Sequence, residues 1–168
     1  ISNEITGDRK GNDSIKILED TNRDGKADKV TVFADGLNIP TSFTFSRGGI
    51  IVAHAPDFLF FKDTDGDDKA DVREVLFTGW GINDTHAGPS NLRYGFDNQI
   101  WGTVGYARFR GELGGEKHDF GMGVYRFKPD ASSIEFLYQF NNNTWGLSFN
   151  SSGDVFGSTA NNNPSFFG

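Results

Sequence analysis

Four short strand-like segments separated by tight turns recur along this chain. Aromatic residues at matching points of the pattern, Phe45, Tyr94 and Phe149, stand 49 and 55 residues apart. This spacing is typical of β-propeller blades, in which four antiparallel strands form one repeat and loop lengths vary. The pattern therefore predicts an all-β chain that forms a partial β-propeller of about three four-stranded blades. A β-sandwich with coincidental spacing is the alternative interpretation.

The repeats divide a single propeller segment, residues 1–168, into consecutive units. The predicted units are an entry hairpin at 1–35, blades at 36–80 and 81–140, and the start of another blade at 141–168. Because a propeller ring typically needs four to eight blades, the open sheet edges require partners. We expect those partners to be remaining propeller blades or another copy of the chain, and we expect the segment to be part of a larger protein.

The composition supports strands and excludes some partners. The sequence contains 22 glycines and 17 phenylalanines but one methionine, a composition that is typical of aromatic-rich strands joined by turns. A net charge of −7 argues against nucleic acid as a partner, because no basic stripe is present to neutralise phosphates. No apolar run approaches the roughly 20 residues of a membrane span, so no transmembrane segment is predicted. The absence of cysteine excludes disulfides and thiolate metal sites within this sequence.

Two nine-residue acidic segments, 20–28 and 63–71, each connect two strand-like segments. Both place oxygen-bearing side chains at positions 1, 3, 5 and 9 and offer a backbone carbonyl at position 7, as in the front of an EF-hand-type calcium loop. Hard oxygen ligands at this density favour Ca²⁺ over softer metals. The predicted ligands, with both lysines acting through their carbonyl oxygens, are Asp20, Asn22, Asp24, Lys26, Asp28, Asp63, Asp65, Asp67, Lys69, Asp71 and Glu74.

The two acidic segments differ in detail. Position 6, where a sharp turn favours glycine, is Gly25 in the first segment and Asp68 in the second, so Asp68 is expected to adopt a positive φ. Glu74 stands at position 12 of the second segment, where the first has Thr31, so their calcium affinities should differ. The expected role is structural, fixing a hairpin at the rim of a blade. The alternative is a pair of solvated Asp/Gly turns.

Polar segments precede the first strand of each repeat, at 36–42, 83–91 and 141–146. In a propeller such loops gather around the central channel, so they form the candidate functional face. Residues 84–103, which begin Asp-Thr-His-Ala-Gly-Pro-Ser-Asn-Leu-Arg, are similar to a pattern of the soluble quinoprotein glucose dehydrogenases. Residues 142–149, Asn-Asn-Thr-Trp-Gly-Leu-Ser-Phe, resemble the next blade of that family. The whole chain more closely resembles the N-terminal propeller of planctomycete-type membrane-bound dehydrogenases.

This resemblance implies quinone-dependent oxidation of a sugar or alcohol in the bacterial periplasm or outside the cell. It makes His86 the general base, which takes the hydroxyl proton while hydride passes to pyrroloquinoline quinone, with Asp84 as its neighbour. Asn142 or Asn143 would contact the cofactor. Thr85 is one residue more than the family has between its Asp and His, and Asn142 replaces a cofactor-binding Arg.

The resemblance also implies further parts beyond these residues. It implies a c-type haem domain as an electron-accepting partner. The other cofactor-binding blades of that family would follow residue 168, so this segment alone is expected to be inactive.

The alternative function is a calcium-stabilised propeller that binds a protein or glycan without catalysis. His86 would then be an ordinary hydrogen-bonded loop histidine. His54, just after an apolar strand, is ambiguous between a functional and a structural role, and His118 is expected to be solvated. The tryptophans are expected to pack between blades rather than stack on sugars: Trp80, Trp101 and Trp145.

Overall fold

A computed structural model describes residues 11–161 and 166–167. Within these residues all regular structure is β-strand, which confirms the predicted all-β class. The strands are β1 (Asp13–Glu19), β2 (Lys29–Leu37), β3 (Ser42–Ser46), β4 (Gly49–His54), β5 (Asp57–Lys62), β6 (Val72–Thr78), β7 (Pro89–Tyr94), β8 (Ile100–Val104), β9 (Phe109–Leu113), β10 (Glu116–Phe120), β11 (Gly123–Phe127), β12 (Ile134–Gln139), β13 (Thr144–Phe149), β14 (Val155–Thr159) and β15 (Phe166–Phe167).

The strands pair in antiparallel fashion into five sheets. The first sheet has the order β3-β4-β5-β6, and the second sheet has the order β12-β11-β8-β7. The third sheet, β13-β14-β15, has three strands. Two further pairs are the N-terminal hairpin, β1-β2, and the inserted hairpin, β9-β10. Sequential pairing of this kind follows from short turns, because neighbouring strands that are joined by a few residues are brought side by side.

The inserted hairpin lies within a segment that the sequence presents only as a long Gly-rich insertion, 107–121. Gly114 and Gly115 form its two-residue turn, with φ of 64° and 82°. Positive φ at both turn residues matches the twist of the flanking strands, so consecutive glycines favour a hairpin here. Phe109 and Phe120 are opposite each other in this hairpin, and both side chains are buried.

The first strands of the three larger sheets lie beside one another. The Ser42 hydroxyl of β3 accepts a hydrogen bond from the backbone N–H of Leu92 in β7 at 2.9 Å. At the other end of the same strands, the Ser46 and Tyr94 hydroxyls share a hydrogen bond of 2.8 Å. The Asn91 amide of β7 donates to the Trp145 carbonyl of β13. Polar side chains thus connect the three first strands in sequence order.

Apolar side chains fill the spaces between the sheets. The largest cluster lies between the first and second sheets and includes Ile51, Phe58, Trp80, Leu92 and Tyr125. A second cluster lies between the N-terminal hairpin and the first sheet, and a third between the second and third sheets. Each sheet in the middle of the series therefore has two apolar faces. In the described part of the chain, no helix is long and apolar enough to cross a membrane.

Candidate metal centre and loop face

The second acidic loop, residues 63–71 between β5 and β6, brings three carboxylates together. Oxygen atoms of Asp63, Asp65 and Asp71 all lie within 4.8 Å of one another. Among the described residues, this is the one group of three or more His, Cys, Asp or Glu side chains with such spacing. Asp63 is half-buried, and the other two side chains are exposed. The loop therefore presents several anionic oxygen atoms at a separation that a divalent cation can bridge.

Backbone hydrogen bonds shape this loop. The Asp63 carboxylate accepts from the N–H groups of Asp65, Gly66 and Asp68 at 3.1, 2.7 and 2.9 Å. Asp71 closes the loop from the other end, because its Oδ2 accepts from the Thr64 N–H at 2.7 Å and hydroxyl at 2.9 Å. Asp68 has φ of 67°, which confirms the expected left-handed conformation at position 6.

These hydrogen bonds also keep the carboxylates ionised. The Asp63 carboxylate accepts hydrogen bonds from backbone N–H groups, chiefly that of Gly66, and these bonds lower its pKa. Hydrogen bonds from Thr64 lower the pKa of Asp71, although the nearby Asp63 charge opposes this effect. Both groups are thus anionic at neutral pH without a cation present. The clustered carboxylates therefore concentrate negative charge that a bound cation would offset.

The first acidic loop, residues 20–28 between β1 and β2, has the same outline. Asp20 accepts from the N–H groups of Asp24 and Gly25 at 3.1 and 2.8 Å, and Asp28 accepts from the Thr21 N–H at 3.0 Å. Its third position, however, is Asn22 instead of an aspartate. Its carboxylates do not form a three-member group with the spacing seen in the second loop. The two loops thus share a fold but differ in the charge they concentrate.

The remaining predicted ligands of the second loop lie outside the carboxylate group. Asp67 accepts from the Lys69 N–H at 2.9 Å and pairs with the Lys69 ammonium at 3.4 Å. Glu74 lies on β6 opposite Phe60, with its side chain exposed. The two acidic loops are neighbours, because Lys29, just after the first, has its Nζ 3.7 Å from Asp68 Oδ2.

The predicted catalytic pair lies in an exposed turn before β7. The His86 side chain is 74% exposed, and its Nδ1 lies 3.8 Å from Asp84 Oδ1. The same Asp84 oxygen accepts from the His86 backbone N–H at 3.0 Å. Asp84 therefore holds the turn in shape and stands beside the imidazole without a close hydrogen bond to it. The imidazole remains accessible to a ligand.

Three loops meet at this face. The Ala87 carbonyl accepts from the N–H groups of Gly105 and Ala107 at 3.0 and 3.2 Å, joining the 83–88 turn to the loop after β8. The Tyr106 hydroxyl donates to Asn142 Oδ1 at 2.6 Å, joining that loop to the one before β13. The structure thus brings the predicted pair, Asp84 and His86, into the same loop cluster as Asn142.

Tyr106 and Gly105 are the residues of this face that sequence reasoning missed. A Cβ on Gly105 would lie 1.7 Å from Asn143 Oδ1, so only glycine permits this close approach. Asn143 itself is buried, while Tyr106 is about half exposed. The available signal was the Gly-Tyr-Ala sequence directly after a predicted strand, since a glycine there often marks a close approach of two backbones.

The other two histidines have different environments. His118 lies on β10 opposite Gly111 and is partly exposed. His54 is half-buried at the end of β4, where its Nε2 accepts from the Asn38 N–H at 2.9 Å. Its Nδ1 must then carry the proton, and this atom has no hydrogen-bond partner among the described residues. Burial lowers the pKa of the His54 imidazole, so folding favours the neutral imidazole.

This environment predicts a pH dependence of stability. The unfolded chain takes up a proton at His54 near its ordinary pKa of about 6.5, whereas the folded chain resists protonation until lower pH. The contribution of His54 is therefore present above pH 6.5 and is lost as the pH falls towards the folded pKa. Urea unfolding between pH 7.5 and 5.5 should show a smaller decline for His54→Gln than for the wild type. Equal declines would contradict the prediction.

The tryptophans divide into two environments. Trp80 and Trp101 are buried in the clusters between sheets, as expected of packing residues. Trp145 is 45% exposed, and it follows the Asn142 loop. The expectation of packing between sheets is therefore met by the first two residues, while the Trp145 indole is available at the surface.

Comparison with known proteins places the chain in a family. No curated protein matches it. Residues 2–167, nearly the whole sequence, match the family described as "Domain of unknown function (DUF7133)". The acidic loops, the three larger sheets and the loop cluster all lie within the matched range, so they are features of a member of that family. The chain belongs to the DUF7133 domain family.

Proposed function

We propose that this chain is a calcium-binding segment of a β-propeller. The order of strands in the first and second sheets, with the first strand of each beside the next, supports a radial arrangement of blades. The N-terminal hairpin and the third sheet would be parts of incomplete blades at either end. A partial ring of this kind explains why apolar side chains cover both faces of the middle sheets.

The observation that carries the calcium proposal is the convergence of Asp63, Asp65 and Asp71. Three carboxylates and a backbone carbonyl from a nine-residue loop are the hard oxygen ligands that Ca²⁺ prefers. The ion would tie the start of the loop to its end and so stabilise the β5–β6 turn. Isothermal titration of the chain with CaCl₂ tests the proposal: we expect the second acidic loop to bind one ion, and absence of any binding would overturn it.

The loop cluster around His86 fits a neutral, hydroxyl-rich ligand such as a glycan or sugar. It offers an exposed imidazole, the Asp84 carboxylate and the Tyr106–Asn142 pair, and Trp145 lies beside it in sequence. Hydroxyl groups can both donate to and accept from this set, and an exposed indole can stack on a sugar ring. Binding without catalysis is the function that we favour for this face.

A quinone cofactor fits the same loops less well. Pyrroloquinoline quinone carries carboxylates, which proteins usually bind with Arg or Lys. The loops at 83–88, 105–107 and 141–144 contain neither residue type, and Asn142 stands where the quinoproteins that this sequence resembles have an Arg. The exposed His86 imidazole beside Asp84 is the one observation that favours dehydrogenase chemistry, because a general base must reach a substrate hydroxyl.

One experiment separates these two functions. Neutral oligosaccharides are titrated into the calcium-loaded chain, and turnover is measured with an artificial electron acceptor after adding the quinone. We expect binding without turnover, and Tyr106→Phe should weaken binding about fivefold, because one hydrogen bond contributes about 1 kcal/mol. Tyr138→Phe, at a surface tyrosine of β12, is the control and should bind normally. Turnover that His86→Ala abolishes would support the dehydrogenase, and absence of any binding would contradict both functions.

A further inference from the structure

The β2–β3 connection, residues 38–41, joins the N-terminal hairpin to the first sheet and is held by side chains from both. The Asn38 N–H donates to Nε2 of His54, at the end of β4, at 2.9 Å. The next N–H, that of Ile39, donates to Oδ2 of Asp13, at the start of β1, at 2.8 Å. Two consecutive backbone donors are therefore satisfied by two titratable side chains.

The backbone of this connection is strained. Ile39 has φ of 51°, a left-handed conformation that β-branched residues rarely adopt. It also precedes Pro40, and a residue before proline normally prefers an extended conformation. Such a conformation persists only when the surrounding structure holds it. The hydrogen bonds to the Asn38 and Ile39 N–H groups therefore oppose a tendency of the backbone to relax.

The two ends of the connection are fixed by other contacts. Leu37, just before it, is fully buried in the cluster between the N-terminal hairpin and the first sheet. At the other end, the Thr41 N–H donates to the Ala53 carbonyl at 3.0 Å, and the Thr41 hydroxyl donates to the Pro89 carbonyl at 2.5 Å. Residues 38–40 can therefore open as a short unit while the strands on either side stay paired.

Protonation of His54 would remove one of the contacts that hold this unit. The neutral imidazole accepts at Nε2 because its proton is on Nδ1, whereas the imidazolium carries a proton on both nitrogens. Its Nε2–H would then face the Asn38 N–H, with a donor against a donor. Within residues 11–161 and 166–167, the buried Nδ1 has no hydrogen-bond partner that would keep the protonated ring in place.

Charged groups from three strands surround the His54 imidazole. Burial has the largest effect on its pKa and lowers it, and the Arg73 charge on β6 acts in the same direction. Asp57 on β5 and Asp13 on β1 oppose these effects by favouring the imidazolium. The closed connection therefore resists protonation of His54, and this resistance is lost when the connection opens and the imidazole reaches water.

We propose that His54 is a pH-sensitive switch that holds the β2–β3 connection closed when neutral and releases residues 38–40 when protonated. The sheets remain folded in both states. The hydrogen bond from Thr41 to Pro89 joins the connection to the start of β7, directly after the 83–88 turn. Acidification therefore loosens the side of the loop face that adjoins the first sheet. The inference depends neither on calcium binding nor on a ligand at the loop face.

Amide hydrogen exchange of the full chain, measured by NMR and corrected for the intrinsic effect of pH, tests the switch. From pH 7.5 to 5.5 we expect the protection of the Asn38 N–H to fall by up to about tenfold, because an open-state pKa of about 6.5 lies one unit above the final pH. At fixed pH this exchange should not respond to low urea concentrations, since a local opening exposes little surface. Exchange of Val52, in the centre of β4, should be slower and should increase with urea.

Matched variants identify the titrating group. Glutamine can accept from the Asn38 N–H but does not titrate, so the pH-dependent fall should disappear in His54→Gln. His118→Gln, at a partly exposed histidine of the inserted hairpin, is the control and should behave like the wild type. Asp13→Ala should lower the protection of the Ile39 N–H at every pH and retain the pH-dependent fall at Asn38.

Three outcomes would overturn the proposal. Constant protection of Asn38 between the two pH values would show that His54 does not control the connection. A fall that persists in His54→Gln, or that does not follow the titration of the His54 ring resonances in the wild type, would show a different titrating group. Equal protection and equal urea dependence of Asn38 and Val52 would show that residues 38–40 do not open separately from the first sheet.

Discussion

Replacement of Trp80 by alanine is expected to destabilise the fold by about 3–5 kcal/mol, the usual cost of emptying a large aromatic site in a core. Trp80 is 2% exposed and contacts rings from three different elements. Its ring centroid lies 5.0 Å from that of Phe58, 4.8 Å from Phe109 and 4.7 Å from Tyr125. The substitution thus removes the side chain that connects the first sheet, the second sheet and the inserted hairpin.

Matched variants make this prediction specific. Trp80 Nε1 is buried without a hydrogen-bond partner in the described part of the chain, so Trp80→Phe removes an unsatisfied donor along with some volume. We expect it to cost less than half as much as the alanine variant. Trp145→Ala, at the exposed tryptophan, should cost less than about 1 kcal/mol. Urea unfolding measures all three, and equal effects of Trp80→Ala and Trp145→Ala would contradict the assigned packing.

Calcium is expected to raise the unfolding temperature by roughly 5–10 °C when its concentration is about a hundredfold above the dissociation constant. An ion that binds only the folded chain contributes about 2.7 kcal/mol at that excess, and each kcal/mol shifts the midpoint by about 2–4 °C in a chain of this size. Asp65→Asn should abolish most of this shift, because it removes one of the three clustered charges. Thermal unfolding monitored by circular dichroism, with EDTA and with CaCl₂, measures the effect.

The two acidic loops provide controls for each other. Asn22→Asp gives the first loop the same third-position carboxylate as the second, so it should raise the affinity of the first loop for calcium and increase the shift. Asp67→Asn changes a residue outside the carboxylate group and should leave most of the shift intact. If Asp67→Asn abolished the shift while Asp65→Asn did not, the ion would be bound by a different set of ligands.

The acidic loops show which features of the structure can be predicted from residues close together in the sequence. Alternating apolar residues on either side of each loop predicted the strands, and the strands formed because that alternation gives each one an apolar face. Asp68 adopts the predicted positive φ because the turn geometry depends on the few residues around it. The spacing of carboxylates did not distinguish Asp65, which joins the cluster, from Asp67, which turns towards Lys69. That difference arises from the direction of each side chain along the folded loop.

The loop face shows where sequence reasoning stops. Asp84, His86 and Asn142 were selected from motifs, but the contact that connects the loops, Tyr106 with Asn142, spans 36 positions of the chain. No periodicity or spacing in the sequence indicates that Tyr106 contacts Asn142, because this contact depends on how the second and third sheets pack. Likewise the sequence presented 107–121 only as a Gly-rich insertion, and it indicated neither the Gly114–Gly115 turn nor the packing of Phe109 and Phe120 around Trp80.

The sequence by itself determined the all-β class, the strands of each repeat and the shape of both acidic turns, since these depend on side chains within a few residues of one another. Only the tertiary structure decided which carboxylates converge, which loops share a face and which phenylalanines remain uncovered. Phe43 and Leu92 occupy aligned positions, yet Phe43 is exposed and Leu92 is buried. The reason is that burial depends on the neighbouring sheet, which a residue's own segment does not encode.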